Sequence, residues 1–137
     1  MATINAAISG VLLKQERERL QDIEPALFSF VGPLYDSIIE NFYSGGRPPW
    51  APLSPGYLKR KTKEGYPPDI LIRTGALLNS IRVGSDGGRV TATAGVEYAA
   101  PLQYGAGAAP PRPFLMLQPE DTAELSRLVV EYIAGVS

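Results

Sequence analysis

A proline-rich stretch in the middle of the chain constrains the fold more than any other feature of the sequence. Residues 47–68 hold six prolines and two glycines. Because proline fixes φ and has no backbone N–H to donate, neither a long helix nor a central strand can pass through them. We therefore predict an extended loop over residues 44–70, in which residues 54–63 can form one short helix. Since long loops in compact domains are usually functional or disordered until a partner binds, we expect residues 43–70 to be mobile in the free monomer and fixed on assembly.

Two helices are predicted before the loop, over residues 4–43. The first covers residues 4–20, where apolar residues recur near helical spacing ahead of a charged run. The second begins near Glu24, which precedes a proline suited to the first turn of a helix. Its apolar residues are Leu27, Phe30, Val31, Leu34, Ile38 and Phe42. Gly32-Pro33 lies inside this second pattern and is expected to kink or interrupt the helix.

A short helix and then a β-hairpin are predicted directly after the loop. Thr74-Gly75 is suited to cap the short helix. The Asp86-Gly87 pair is a strong hairpin signal between two apolar runs. Over residues 90–96 valine and alanine alternate with threonine, a pattern that predicts a strand with one buried face.

Three further segments complete the predicted fold. Residues 98–104 are a candidate third strand, and residues 114–117 could be extended. Pro119 is followed by two acids that complement a helix dipole and then by a clean apolar stripe. We therefore predict one α+β domain over residues 1–137, with N-terminal helices and a C-terminal helix packed on a small antiparallel sheet. Its parts are the N-terminal helices 4–43, the extended loop 44–70, the β section 80–117 and the C-terminal helix 119–134.

The side-chain chemistry of the sequence argues against an enzyme. The chain has no histidine and no cysteine, so it lacks the commonest general base near neutral pH and any thiolate nucleophile. A Ser54–Lys59 pair and the Asp36–Glu40 carboxylates are formal alternatives, but a capping serine and solvated helical acids explain them better. We expect no cofactor and no bound metal. We also expect no membrane span, since no apolar run approaches the roughly 18 residues that a span needs.

A basic cluster is the one feature that resembles a nucleic-acid-binding segment. It consists of Lys59, Arg60, Lys61 and Lys63, with Tyr57 and Tyr66 nearby. Positive charges beside an aromatic ring can contact phosphates and stack on bases. The net charge of −1 gives the whole chain no field that attracts nucleic acid. Contact with DNA, docking to an acidic protein surface and a simply solvated patch all stay open.

Five short motifs follow one another in a recognisable order over residues 25–135. They are Trp50-Ala51-Pro52-Leu53-Ser54-Pro55, the stretch from Leu71 to Ile81, Val96-Glu97-Tyr98-Ala99, Gln103-Tyr104-Gly105 and Pro111-Arg112-Pro113-Phe114-Leu115. Each motif alone is weak. Their order and spacing resemble those of the phage virion-morphogenesis (tail-completion, Mu-like) proteins. One departure is Leu102, where relatives tend to carry histidine before the glutamine.

The resemblance implies a small α+β structural subunit at the neck or tail end of a virion that is assembled in the bacterial cytoplasm. It implies assembly into a homo-oligomeric ring, for which sixfold symmetry is expected by analogy with tailed-phage tails. The implied partners are further copies of the chain and the adjacent connector or tail-tube proteins. A ring subunit needs heterologous surfaces, in which one patch meets a different patch on its neighbour.

The interface is expected to use the residue types that dominate binding hot spots, which are tryptophan, tyrosine and arginine, together with the basic cluster. The candidates are Trp50, Tyr57, Lys59, Arg60, Lys61, Lys63, Gln103, Tyr104 and Arg112. Two alternatives stay open. Trp50 can instead be a core residue that pins its loop, and Arg112 can instead hold its own loop through backbone carbonyl groups.

Overall fold

The computed structural model of the chain describes residues 3–4 and 22–135. Within them the order of helices and strands is that of an α+β fold, as predicted. The elements are β1 (Thr3–Ile4), α1 (Glu24–Tyr43), α2 (Pro55–Lys63), α3 (Ala76–Asn79), β2 (Ile81–Asp86), β3 (Arg89–Ala94), α4 (Ala99–Tyr104) and α5 (Pro119–Ala134). Among these elements, no helix is both long enough and apolar enough to cross a membrane.

Helix α1 runs without a break through Pro33, so the predicted interruption at Gly32-Pro33 is wrong. Both residues lie on the exposed side of the helix. The carbonyl group of Ser29, which loses its N–H partner to the proline, is therefore on the solvent side, where water can replace the lost hydrogen bond. The opposite side of α1 is apolar and closes the core.

The core forms where α1 packs on α5 and on the inner face of the β2–β3 hairpin. Full burial of each large apolar side chain contributes about 1.5–3 kcal/mol. The fully enclosed members include Phe30, Leu34, Ile38, Phe42, Ile81, Val90, Phe114 and Val129. The predicted apolar stripe of the C-terminal helix is confirmed, because Leu125, Val129 and Ile133 are buried against this core.

The predicted hairpin is confirmed, with Gly87-Gly88 as its two-residue turn. Strands β2 and β3 are antiparallel, and Asp86 pairs with Arg89 at the turn. Both turn glycines have positive φ, 56° and 81°, as the tight turns that suit twisted hairpins require. Strand β3 is central, because β1 pairs with its other side.

The predicted first helix, residues 4–20, is wrong at its first residue. Ile4 lies in β1 and pairs with Ala92 of β3. The rest of that prediction falls on residues 5–20, which lie outside the described residues.

The candidate strand at residues 98–104 is helix α4 instead. Pro101 favours the helix over the strand. It occupies the first turn of the helix, where a backbone N–H has no intrahelical partner anyway. In a central strand the same proline would remove a hydrogen bond of the ladder.

Residues 114–117 form no strand either, so the β section 80–117 narrows to residues 81–94. Side chains, rather than a neighbouring strand, satisfy the backbone here. Gln103 accepts from the backbone N–H groups of Phe114 and Leu115, and Asn41 donates to the carbonyl oxygen of Phe114.

The extended loop 44–70 contains the short helix that its sequence predicts. Ser54 precedes α2 and accepts a hydrogen bond from the backbone N–H of Tyr57 at 3.3 Å, so its hydroxyl serves as the N-cap. Pro55 occupies the first turn, where it costs no hydrogen bond.

Candidate functional site

Trp50 is a core residue that pins its loop. This is the alternative to an interface role that its sequence left open. Only 6% of it is exposed. Its ring meets the edge of Phe42 in a T-shaped contact at 6.0 Å between centroids. Its indole Nε1–H donates to the carbonyl oxygen of Pro113 at 3.0 Å. The side chain of Trp50 therefore offers no surface to a neighbouring molecule in this conformation.

Arg112 holds its own loop region through backbone carbonyl groups. Its Nε donates to the carbonyl oxygen of Ala51 at 2.9 Å, and its Nη2 donates to that of Pro52 at 3.2 Å. Its own backbone N–H donates to the carbonyl oxygen of Leu102 at 2.8 Å. Arg112 and Trp50 thus bind residues 50–52 to residues 112–113 from both sides.

Gln103 is buried and acts as a clamp on the backbone of residues 114–115. Its Oε1 accepts from the N–H groups of Phe114 and Leu115, each at 3.0 Å, and its Nε2 donates to the carbonyl oxygen of Leu115 at 2.9 Å. A glutamine is suited to this arrangement because its amide both accepts and donates. The amide of the candidate Gln103 is therefore satisfied within the chain, where it positions the loop.

A buried network of polar side chains holds the start of the loop 44–70. This network was not predicted from the sequence. Asn41, fully buried in α1, accepts at Oδ1 from Nε of Arg47 at 2.9 Å. The Nη2 of Arg47 donates to the backbone oxygen of Ser37 at 2.6 Å and to its hydroxyl at 2.9 Å, and that hydroxyl donates to Asp121 at 2.7 Å. The signal was present in the sequence as a polar residue, Asn41, inside the apolar stripe of α1.

These clamped segments surround an open groove of about 740 Å³. Its walls come from residues 52–54, from α2, from residues 71–77, from α4 and from residues 110–112. Tyr57 and Tyr98 stand at its edge and are both exposed. The groove brings together parts of four of the five motifs that carry the family resemblance.

The groove is apolar with a positive charge. Its charged lining residues are Lys61, Arg73 and Arg112, and no carboxylate lines it. Lys61 and Arg112 donate to backbone carbonyl oxygens, so neither is neutralised by an ion pair within residues 22–135. Arg73 lies over the ring of Tyr66 at 4.5 Å and is 3.9 Å from Glu64, an exposed ion pair of the kind that contributes little stability.

Lys61 differs from the other members of the basic cluster in its burial. It is buried, with 4% exposed, and its Nζ donates to the carbonyl oxygen of Asp69 at 2.6 Å. Burial lowers the pKa of Lys61, although the nearby charge of Asp69 acts in the opposite direction. The other members, Lys59, Arg60 and Lys63, are exposed on α2, where Arg60 lies 5.7 Å from the ring of Tyr57.

The structure therefore divides the nine candidates into three groups. Trp50, Gln103, Lys61 and Arg112 make intramolecular bonds, and the last two of them also line the groove. Tyr57 lines the groove from its edge, beside the exposed cations of α2. Tyr104 is exposed on α4 but does not line the groove.

Within residues 22–135, no group of three or more acidic side chains could hold a metal ion. Ser54, which the sequence offered as half of a serine–lysine pair, is the N-cap of α2. The described lining of the groove therefore presents apolar walls, tyrosines and cations, and it includes no carboxylate, histidine or cysteine side chain.

The family model of the phage virion morphogenesis family matches residues 4–134 of the chain. The chain is also similar to the Mu-like prophage FluMu G protein 2 of Haemophilus influenzae. The two sequences are 30% identical over 115 residues, which cover 79% of this chain and 76% of the relative. No solved structure gives a significant match.

Proposed function

Because this chain belongs to the phage virion morphogenesis family, we propose that it is a structural subunit of the head–tail interface of a tailed phage virion. In this proposal it assembles into a ring in the host cytoplasm. It acts there as a tail-completion, neck or tail-terminator protein. Its partners are further copies of itself and the adjacent connector or tail-tube proteins.

The groove is the observation that carries this proposal. Its walls are held by the side chains of Arg112, Gln103 and Trp50, which satisfy backbone groups from distant parts of the chain. A surface that is already rigid loses little conformational entropy when a partner binds, and it therefore favours specific docking. Exposed tyrosines beside an apolar wall are typical of protein–protein hot spots.

A ring follows from such a surface if its complement lies elsewhere on the same chain. Head-to-tail contacts of this kind repeat from copy to copy and close when the rotation between copies divides a full turn. Sixfold closure would match the symmetry of a phage tail, and we propose it on that analogy.

The position in the virion is tested by deleting the gene from the phage that encodes the chain and imaging the lysate by electron microscopy. The expected result is separate heads and tails, with joined particles returning when the wild-type gene is supplied in trans. Normal, infectious particles from the deletion phage would contradict a structural role at the junction.

The ring is tested separately by light scattering of the purified chain over a range of concentrations. We expect a discrete oligomer whose mass is a multiple of 14.7 kDa. A monomer at every concentration would contradict self-assembly, and the docking part of the proposal would then depend on the deletion experiment alone.

A DNA-contacting accessory protein is the second candidate function. The observation that favours it is the row of exposed cations Lys59, Arg60 and Lys63 on α2, next to Tyr57. It predicts DNA affinity that falls steeply with salt and that is lost in the triple Lys59→Gln, Arg60→Gln, Lys63→Gln variant. If that variant still completes virions, the cations are a solvated patch.

A further inference from the structure

Helix α1 carries an exposed row of aromatic side chains on the side that points away from the core. Phe28, Tyr35 and Tyr43 are 71%, 40% and 64% exposed. Their spacing of seven and eight residues places them along one side of the helix. Three exposed aromatic rings in one row supply anchors of the kind that a helix lays into an apolar groove.

The same side of α1 is acidic. The helix contains Glu24, Asp36 and Glu40 but no lysine or arginine. Asp36 and Glu40 are exposed, and neither forms an ion pair within residues 22–135. We call the surface formed by Phe28, Tyr35, Asp36, Glu40 and Tyr43 the α1 outer face.

The groove has the complementary properties. Its charged lining residues are all cations, its walls are apolar, and tyrosines stand at its edge. An amphipathic helix that lays anchors at i, i+7 and nearby positions into an apolar groove is a common mode of protein recognition. Opposite charge across such a contact fixes the register and suppresses wrong partners.

We propose that the groove of one copy of this chain receives the α1 outer face of a second copy. No residue of α1 lines the groove, and α1 packs in its own chain on α5 and the hairpin, so a chain cannot fill its own groove with this helix. The contact joins two different patches and therefore leaves one of each patch free at the ends of a dimer. This inference rests on the proposed ring and identifies the two surfaces that build it.

The test uses one variant for each surface in the full-length chain. Arg73→Glu reverses a charge in the groove, and its side chain is 58% exposed, so the fold does not depend on it. Tyr35→Ala combined with Asp36→Lys removes an aromatic ring and an acid from the α1 outer face. Arg89→Glu and Asp86→Lys, on the exposed end of the hairpin, are the matched charge-reversal controls.

Sedimentation velocity is run on each protein over a range of concentrations, with circular dichroism melting to confirm the fold. The groove variant and the α1 variant are each expected to weaken self-association by about tenfold or more. The two hairpin controls are expected to assemble like the wild type.

Mixing the two variants gives the decisive result. Each retains the surface that the other lacks, so an equimolar mixture is expected to form dimers at concentrations at which each variant alone is monomeric. A mixture that stays monomeric would overturn the head-to-tail contact.

The remaining outcomes separate this inference from the proposed function. If both variants assemble like the wild type, the contact is overturned while the ring stands. If Arg73→Glu lowers DNA binding but leaves the assembled mass unchanged, the groove serves nucleic acid and the contact is overturned. If the wild type never self-associates, the contact and the ring both fail, and the deletion phage still decides the role in the virion.

Discussion

The indole N–H of Trp50 donates to the carbonyl oxygen of Pro113 across a separation of 63 residues, at 3.0 Å. This bond joins the two proline-rich loops at the point where both approach the core. Arg112, next to Pro113, makes the reverse connection to the carbonyl oxygen of Ala51. The groove depends on this reciprocal pair of contacts, because each loop forms part of its wall.

Substitution of Trp50 is expected to show both parts of its role. Trp50→Phe keeps an aromatic ring but leaves the carbonyl oxygen of Pro113 unsatisfied, which should lower the free energy of unfolding by about 1–3 kcal/mol. Trp50→Ala also leaves a cavity beside Phe42 and should cost about 3–5 kcal/mol. Urea unfolding followed by circular dichroism measures both. Tyr104→Phe is the exposed control, and an unchanged midpoint for Trp50→Ala would contradict the pinning role.

Removal of Arg112 is expected to release residues 51–52 without unfolding the domain. Arg112→Met loses two hydrogen bonds from a charged donor to backbone oxygens, each worth about 1.5–3 kcal/mol. The measurement is limited trypsin digestion, with cleavage after the exposed Lys59, Arg60 and Lys63 followed by mass spectrometry. Cleavage should be slow in the wild type and clearly faster in the variant.

That experiment also tests the sequence-based expectation that residues 43–70 are mobile in the free monomer, against which the hydrogen bonds of Trp50 and Arg112 argue. Arg89→Met is the control, since Arg89 is exposed at the end of the hairpin, where it pairs with Asp86. Equally fast cleavage in the wild type and in Arg112→Met would mean that the loop is mobile despite its hydrogen bonds.

Gln103→Leu is expected to be strongly destabilising, because a side chain of similar size then leaves the backbone N–H groups of Phe114 and Leu115 without an acceptor. Each buried unsatisfied group costs about 1–3 kcal/mol, so the total should be about 2–6 kcal/mol. The check is the urea midpoint against Tyr104→Leu, its exposed neighbour on α4. Equal midpoints for these two variants would show that the amide clamp contributes nothing.

The buried Lys61 is expected to make stability depend on pH in the alkaline range. Its pKa in the folded chain lies below its usual 10.5, so the unfolded chain binds more protons in the interval between the two values. Folding stability relative to Lys61→Met should therefore rise with pH through that interval. Below it, the cost of burying the charged ammonium is fully present.

The measurement is the difference in unfolding free energy between the wild type and Lys61→Met from pH 7 upward, as far as the chain stays folded. Lys63→Met, exposed on the same helix, is the control and should give a flat difference. A flat difference for Lys61→Met as well would mean that the amine is solvated in the folded chain.

Local chemistry explains the parts of the fold that the sequence predicted correctly. The limits of α5 follow from Pro119, from the acids behind it and from Gly135, which has a positive φ of 77° at the helix end. The hairpin follows from its glycine turn, and α2 follows from the Ser54-Pro55 pair. Each of these signals acts within a few residues, so it can be read along the chain.

The sequence-based predictions were wrong where the local residues permit more than one backbone conformation. Pro101 excludes a central strand but fits the first turn of a helix, and the apolar residues around it suit either. Residues 114–117 are apolar like a strand, yet their hydrogen bonds go to Gln103 and Asn41. Their conformation depends on side chains that lie far away in the sequence.

By itself the sequence determined the α+β class, the helical and hairpin segments with strong local signals, and the order of motifs that indicates a phage structural protein. The tertiary structure alone decided that Trp50, Gln103, Lys61 and Arg112 make bonds within the chain, and that the loops between them enclose a positively charged apolar groove. The physical reason is distance along the chain. Turns and helix ends are governed by neighbouring residues, whereas a groove forms only after segments separated by about 60 residues have paid the entropy of coming together.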